Sequence, residues 1–299
     1  LDCRQQFSSI GDGLLVLAPA KINLSLLIAG KRPDGYHEIE TLMSKVSLYD
    51  ELLFEKTDSD RIELLCRGDY WAPQGPENLV YRACRNLLDV AGVKAGVKIT
   101  LTKNIPAGGG LGGASSDAAA ALLGLNRFVR LGVEHDTLVS IAAQLGSDVT
   151  FFLGGPLAFC TGRGEKVEEI PEKFSFRAVL VLPNVNVSTA KVYANYRHDL
   201  IEYDKLSRAI KAFIAKKDID STAKMCANML EKSCFELYGE LAKIKSKMKA
   251  AGAGRVCLSG SGSTMFCLLT GADQEIERCQ SILSESFGCS SLVVHNNRW

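Results

Sequence analysis

The richest chemistry in the sequence lies in Pro106-Ala107-Gly108-Gly109-Gly110-Leu111-Gly112-Gly113-Ala114-Ser115-Ser116-Asp117, where five of the six residues 108–113 are glycine. Glycine tolerates backbone angles that side chains forbid, and it lets main-chain N–H groups come close to a ligand. Val97, Ile99 and Leu101 alternate with Lys98, Thr100 and Thr102, which predicts a half-buried strand before the loop. Ala118–Phe128, rich in alanine and leucine, predicts a helix after it. Strand, glycine loop and helix N-terminus in that order form an anion site, because the first helical N–H groups are unpaired and the helix dipole is positive there. Ser115 and Ser116 add hydroxyls, one of which can cap the helix. A glycine turn without a ligand is the plainer reading, and two serines at a helix start weigh against it.

The loop is none of the widespread phosphate grips. Gly108, Gly110 and Gly113 satisfy G-x-G-x-x-G, yet no parallel strand ending in an acidic residue follows about 20 positions on, as a dinucleotide site requires. There is no G-K-[ST] ending and no protein-kinase V-A-I-K, H-R-D or D-F-G signature. Two ionisable residues stand out elsewhere. Lys21 lies among apolar strand residues, a poor place for a merely solvated lysine. Asp148 follows Gly146 and reads equally as a cap or turn residue.

The elements that must position these groups are legible in outline. Leu14–Ala18 and Ile22–Ile28 read as two strands around Pro19, followed by turn chemistry at Pro33, Asp34 and Gly35. Leu42–Leu53 and Arg61–Cys66 are further strands, and Pro76 opens a helix. A helix over Asp136–Leu145 stops at Gly146. Pro156 to Pro171 reads as irregular and charged, with the domain boundary beside it: residues 1–165 form one domain and 166–299 the other. In the second, Ala178–Leu182, Arg255–Ser259, Thr264–Leu269 and Ser291–His295 are strands. Tyr203–Lys217, Ser221–Tyr238, Glu240–Ala251 and Asp273–Phe287 are helices. The fold class is α+β, in two domains, because 299 residues exceed one simple core.

Composition excludes several function classes. Lys+Arg is 35 against 34 for Asp+Glu, so the chain is no general polyanion binder and nucleic acid is not an expected partner. No apolar run approaches the roughly 18 residues of a membrane span, and no secretory signal is visible. The ten cysteines include no C-x-x-C pair and no zinc spacing, so they read as small buried hydrophobes in a reducing, cytoplasmic setting.

Three separated segments then match one family. Pro19-Ala20-Lys21-Ile22-Asn23-Leu24 resembles the first motif of the GHMP kinases, Pro106–Ala119 their phosphate-binding second motif, and Leu258-Ser259-Gly260-Ser261-Gly262-Ser263-Thr264 their glycine-rich third. Lys31-Arg32-Pro33-Asp34-Gly35-Tyr36-His37, Leu145-Gly146-Ser147-Asp148-Val149 and Thr161-Gly162-Arg163-Gly164-Glu165 support the match, which spans nearly the whole chain. The resemblance implies a two-domain fold with its active site in the inter-domain cleft. It also implies ATP-dependent phosphorylation of the 2-hydroxyl of a cytidine-diphosphate-linked methylerythritol, a small-molecule step of non-mevalonate isoprenoid synthesis, by a monomer or homodimer.

The resemblance makes Asp148 the base and Lys21 its neighbour. It gives the nucleotide to Pro106, Ala107, Gly108, Gly109, Gly110, Leu111, Gly112, Gly113, Ala114, Ser115 and Ser116, with Asn78 and Lys103 at its border. Asn23 orients the acceptor, Tyr36 and His37 hold its cytosine, Thr189 and Tyr193 form the far wall, and Gly260, Ser261 and Gly262 line the acceptor side. Mg²⁺ is expected with ATP, without a nameable protein ligand beyond Ser115 as a candidate. Two departures stand out: Thr150 replaces a usual proline, and Asp117 stands where many members carry asparagine. A small-acceptor GHMP kinase is the rival enzyme, and a non-catalytic sensor is the rival from another class. Tyr36, His37 and Tyr193 argue against the first, and the presence of Lys21 and Asp148 against the second.

Overall fold

The computed structural model describes residues 4–171, 174–225, 227–250, 253–269, 280–281 and 288–299. Its first sheet is built from β1 (Phe7–Ile10), β2 (Gly13–Lys31), β3 (His37–Lys56), β4 (Ile62–Gly68), β5 (Val97–Lys103), β6 (Leu157–Gly162) and β7 (Lys166–Glu169). The strand order is β1-β2-β3-β5-β4, and only the β4–β5 pairing is parallel. β3 forks: its residues 51–56 pair with β5, and its residues 39–44 pair with β6. On this sheet lie α1 (Leu79–Ala91), α2 (Gly113–Val129), α3 (His135–Leu145) and the short α4 (Val149–Leu153).

The second domain carries a four-stranded antiparallel sheet, ordered β11-β8-β10-β9, from β8 (Arg177–Leu182), β9 (Val256–Leu258), β10 (Met265–Leu269) and β11 (Ser290–His295). Its described helices are α5 (Thr189–Asn195), α6 (Leu200–Ala215), α7 (Ile219–Met225), α8 (Glu231–Leu237) and α9 (Gly239–Ala250).

One strand serves both cores. Leu14, Val16 and Ala18 of β2 pack with α1–α4, whereas Ala20, Ile22, Leu24 and Ile28 pack with the second sheet and its helices. Lys21 therefore sits just past the hand-over between the two apolar clusters, buried by its neighbours rather than by its own chemistry.

The structure corrects four sequence expectations. The two strands around Pro19 are one, because a register shift between Pro19 and Ala20 accommodates the missing N–H. The segment 156–171 is not irregular but the β6–β7 hairpin, so the first sheet runs past the boundary drawn at residue 165, to Glu169. The helix expected over 221–238 is two, α7 and α8. The chain between them is drawn onto β2, with Leu26 N–H donating to Ala227 O (2.7 Å) and Met229 N–H to Leu26 O (2.9 Å). Pro76 lies in a 3₁₀ turn, Gly75–Glu77, and α1 is capped by Asn78. The helix expected over 273–287 lies outside the described residues apart from 280–281.

Cys84, Cys160 and Cys234 are buried thiols as expected, burial pushing Cys160 up to about 12. Cys257 departs from that expectation and is disulfide-bonded. No helix among the described residues is long and apolar enough to cross a membrane.

Candidate active site

The glycine loop leaves β5 and enters α2 at Gly112, whose φ of +71° is left-handed. Space also demands glycine there: a β-carbon at Gly112 would lie 2.9 Å from Phe152 Cζ and 3.0 Å from Lys21 Cγ. Lys21 thus packs directly on the loop, and its N–H donates to Leu111 O at 2.9 Å. Ala107, Gly108 and Ala114 are exposed along the rim, and Gly109 and Ser116 are buried. The outer edge of the loop and the first turn of a 17-residue helix face solvent together, the geometry an anion needs.

The side chain of Lys21 reaches the other way. Its Nζ donates to Asn23 Oδ1 at 2.6 Å and lies 3.8 Å from Asp148 Oδ2. Asn23 in turn donates through Nδ2 to Thr41 Oγ1 (2.8 Å), and Thr41 to Ser25 O (2.6 Å). Burial lowers the Lys21 ammonium from its ordinary value, and Asp148 partly restores it. Asp148 stands at the N-cap position of α4 without a side-chain capping bond and keeps about a third of its side chain exposed, at 31%. Thr150 secures that turn by donating toward Ser147 O (3.2 Å) and Glu165 O (3.3 Å), so a hydroxyl does there what a proline's rigidity would do.

The third glycine motif interlocks with the loop. Ser259 Oγ donates to Gly110 O at 2.9 Å, Thr264 N–H donates to Gly109 O at 3.1 Å, and a β-carbon at Gly110 would fall 2.1 Å from Ser259 O. Gly260 approaches Asn23 Oδ1, and the Ser261 hydroxyl meets that of Thr189 at 2.8 Å. Beyond Thr189, Tyr193 lies against His37 with ring centres 5.2 Å apart. Burial, then the charge of Asp148, raises the Tyr193 phenol, which ties the aromatic wall electrically to the carboxylate. Burial, helped by Lys31 and His198, lowers the His37 imidazole, leaving one ring nitrogen as donor and one as acceptor at neutral pH. Tyr36 is 59% exposed.

Lys21, Asn23, Asp148, residues 109–112, Thr189, Tyr193, His37 and Gly260–Ser261 are thus brought together in one neighbourhood of successive contacts. Asn78 and Lys103 are placed differently. Asn78 Oδ1 accepts Val80 N–H and its Nδ2 donates to Pro73 O, both at 2.8 Å, so its polar groups are committed to the cap. Lys103 Nζ lies beneath Gly113, clamped between Asp50 and Asp117 (2.6 Å to Asp117 Oδ2). Asp117 turns inward to that ammonium, so its carboxylate does not confront the anion site.

Two known domain families match the stretches that carry the glycine loop, Asp148 and the third glycine motif, while Lys21, Asn23, His37, Thr189 and Tyr193 lie outside them. The GHMP kinase N-terminal domain matches residues 78–156, and the GHMP kinase C-terminal domain matches residues 209–286. A 4-diphosphocytidyl-2-C-methyl-D-erythritol kinase from Bacillus cereus (strain B4264) is 43% identical over 256 residues, covering 86% of this chain and 88% of its own length. The chain belongs to that kinase family. A crystal structure of 4-(cytidine 5'-diphospho)-2C-methyl-D-erythritol kinase superposes with TM-score 0.75 at 34% identity, covering 95% of this chain and 99% of the other. A homoserine kinase from Cytophaga hutchinsonii superposes as well, with TM-score 0.76, at 20% identity over 99% of this chain and 98% of its own. The shared fold therefore does not choose the acceptor, whereas sequence identity separates the two.

Sequence reasoning missed two supports. Asp50, fully buried on β3, accepts the N–H groups of Asn104 (2.5 Å) and Ile105 (2.8 Å) where the glycine loop begins. Asn228 donates to Leu258 O and Gly260 O, both at 2.8 Å, and shapes the third motif. Neither sits in a motif, and each acts across more than 25 residues of chain. For magnesium, no group of three or more His, Cys, Asp or Glu side chains among the described residues forms a cage.

Proposed function

We propose that this kinase transfers the γ-phosphoryl group of ATP to the 2-hydroxyl of 4-diphosphocytidyl-2-C-methyl-D-erythritol, with Asp148 as base. The observation that carries the reading is Lys21, which is hydrogen-bonded through its backbone to the glycine loop and ion-paired through its ammonium with Asp148 at 3.8 Å. Donor and acceptor halves of the cleft meet on that residue.

ATP phosphates rest against the N–H groups of residues 108–116, at the positive end of α2. Asp148 takes the 2-hydroxyl proton as the oxygen forms its bond to the γ-phosphorus. The bond from that phosphorus to the bridging oxygen breaks, and ADP leaves. The Lys21 ammonium, 3.8 Å from Asp148 Oδ2, faces the negative charge that develops during the step. Asn23 holds Lys21 and orients the acceptor. His37 reads the polar edge of cytosine, with Tyr36 and Tyr193 as its walls. Mg²⁺, when bound, neutralises phosphate charge, and Ser115 at the loop mouth is the hydroxyl available to it. The enzyme works in the cytoplasm, as a monomer or homodimer, without nucleic acid.

Phosphate transfer from ATP to the cytidine compound tests this, with wild type and Lys21→Ala side by side and homoserine and mevalonate as alternative acceptors. Wild type should use the cytidine compound and the variant should lose most turnover. Turnover of homoserine or mevalonate, with none of the cytidine compound, would overturn the acceptor.

A further inference from the structure

The turn Gly162-Arg163-Gly164 between β6 and β7 has no role in the reaction as described, yet it touches both ends of the acceptor site. Arg163 Cζ stands 5.1 Å from the ring centre of Tyr36. Its neighbour Gly164, at φ +113°, abuts the base: a β-carbon there would lie 3.4 Å from Asp148 Oδ1. The turn is held firmly. Gly162 N–H donates to Glu38 Oε1 (3.1 Å), Gly164 N–H to Thr161 O (3.1 Å) and Arg163 N–H to Glu165 Oε2 (2.5 Å).

The Arg163 guanidinium itself is loosely paired. Its Nε lies 4.0 Å from Glu165 Oε2, and the side chain keeps 36% exposure. Arg32, by contrast, is engaged by Asp34 at 3.1 Å and Glu38 at 2.6 Å, and Lys21 by Asn23 and Asp148.

We propose that Arg163 is a specificity residue that binds the diphosphate of the acceptor. The argument rests on the acceptor assigned above. In a cytidine-diphosphate-linked alcohol the diphosphate separates the base from the reacting hydroxyl by covalent connectivity. It must therefore cross the stretch between Tyr36 and Asp148, which is the stretch this turn borders. Arg32 and Lys21 on either side are already engaged by Asp34, Glu38 and Asp148, so the loosely paired guanidinium of Arg163 is the cation with capacity to meet a dianion there. A guanidinium meets two phosphate oxygens at once through parallel N–H bonds, and it can do so edge-on while its face rests on an aromatic ring.

The test is calorimetric binding of CDP and of cytidine to wild type and to Arg163→Gln, alongside steady-state kinetics. The variant should bind CDP and the acceptor about tenfold more weakly or worse, as loss of a charge-assisted bond implies. Cytidine affinity, KM for ATP and melting temperature should hold, with kcat little changed, and Arg163→Lys should restore only part of the loss. Equal weakening of CDP and cytidine would reduce Arg163 to a prop for Tyr36 and overturn the proposal, as would unchanged CDP binding or a wild type that binds CDP no better than cytidine. A wild type that binds CDP through Arg163 but does not phosphorylate the acceptor would instead sink the assigned reaction and leave this subsite standing.

Discussion

Among the described residues two buried lysines contact carboxylates, and they do opposite things. Lys103 is enclosed: Asp117 lies 2.6 Å away, Asp50 is closer still, and every partner is at most 5% exposed. Burial pulls the Lys103 ammonium down, but Asp117 and Asp50 outweigh it and raise it. Burial also pushes Asp117 well above the carboxylate range, against the pull of Lys103 and with the charge of Asp50. Lys21 is equally buried, yet its carboxylate is 3.8 Å away and open to solvent, and its ammonium is lowered. A closed, short cluster has nowhere for a substrate proton to go and serves as a clamp under the glycine loop. An open, long pair leaves an acceptor alcohol room to enter between carboxylate and solvent. Pairing alone does not mark a catalytic lysine; access to its partner does.

The contrast can be broken in descending order of effect. Asp148→Asn should lower kcat about 10²–10⁴-fold, the range for loss of a general base, while ATP binding and melting temperature stay near wild type. A variant of nearly normal turnover would remove Asp148 from the chemistry. Lys103→Met should do the reverse, costing about 3–5 kcal/mol of stability by stranding buried carboxylates, measured by denaturant unfolding. A loss of turnover without destabilisation would make Lys103 a ligand contact instead of a clamp.

Lys45 sharpens the comparison as a buried lysine whose Nζ donates to main-chain carbonyls, Phe152 O (3.2 Å) and Gly154 O (2.6 Å). Burial holds its ammonium down to about 7 from 10.5, with Glu169 pulling weakly the other way. Between those values the unfolded chain binds more protons than the folded one. On this account stability rises with pH across that window, by up to about 1.4 kcal/mol per unit. The cost of burying the charge is fully present below pH 7. Lys45→Met should flatten this slope in unfolding midpoints taken from pH 7 to 10. Smallest of all, Asn78→Ala should cost about 1 kcal/mol as a lost cap and barely move KM for ATP; a large rise in KM would return Asn78 to the nucleotide.

What the sequence disclosed was local chemistry. The glycine loop, the helix after it and the isolation of Lys21 in an apolar strand follow from residue types a few positions apart, and the family match extended them to Asp148. What it hid was decided at a distance. The β6–β7 hairpin is charged because β7 is largely solvent-facing, and its strand character comes from pairing β6 with β3, more than 100 residues earlier. The break between α7 and α8 answers to Leu26, and the inward turn of Asp117 to Lys103. The placement of Asn78 and Lys103 beside the nucleotide came from the match alone, and both side chains are engaged by interior partners.

The strand β2 lines two apolar clusters at once, Val16 and Ala18 in one and Ile22 to Ile28 in the other. A nick in the link after β7 would therefore not yield two self-sufficient pieces. The carboxyl-terminal fragment would lose a wall of its own interior, and the amino-terminal one would display a greasy ridge to water. Neither half is portable, so shuffling one of them onto a foreign partner would fail unless this spine travelled with it.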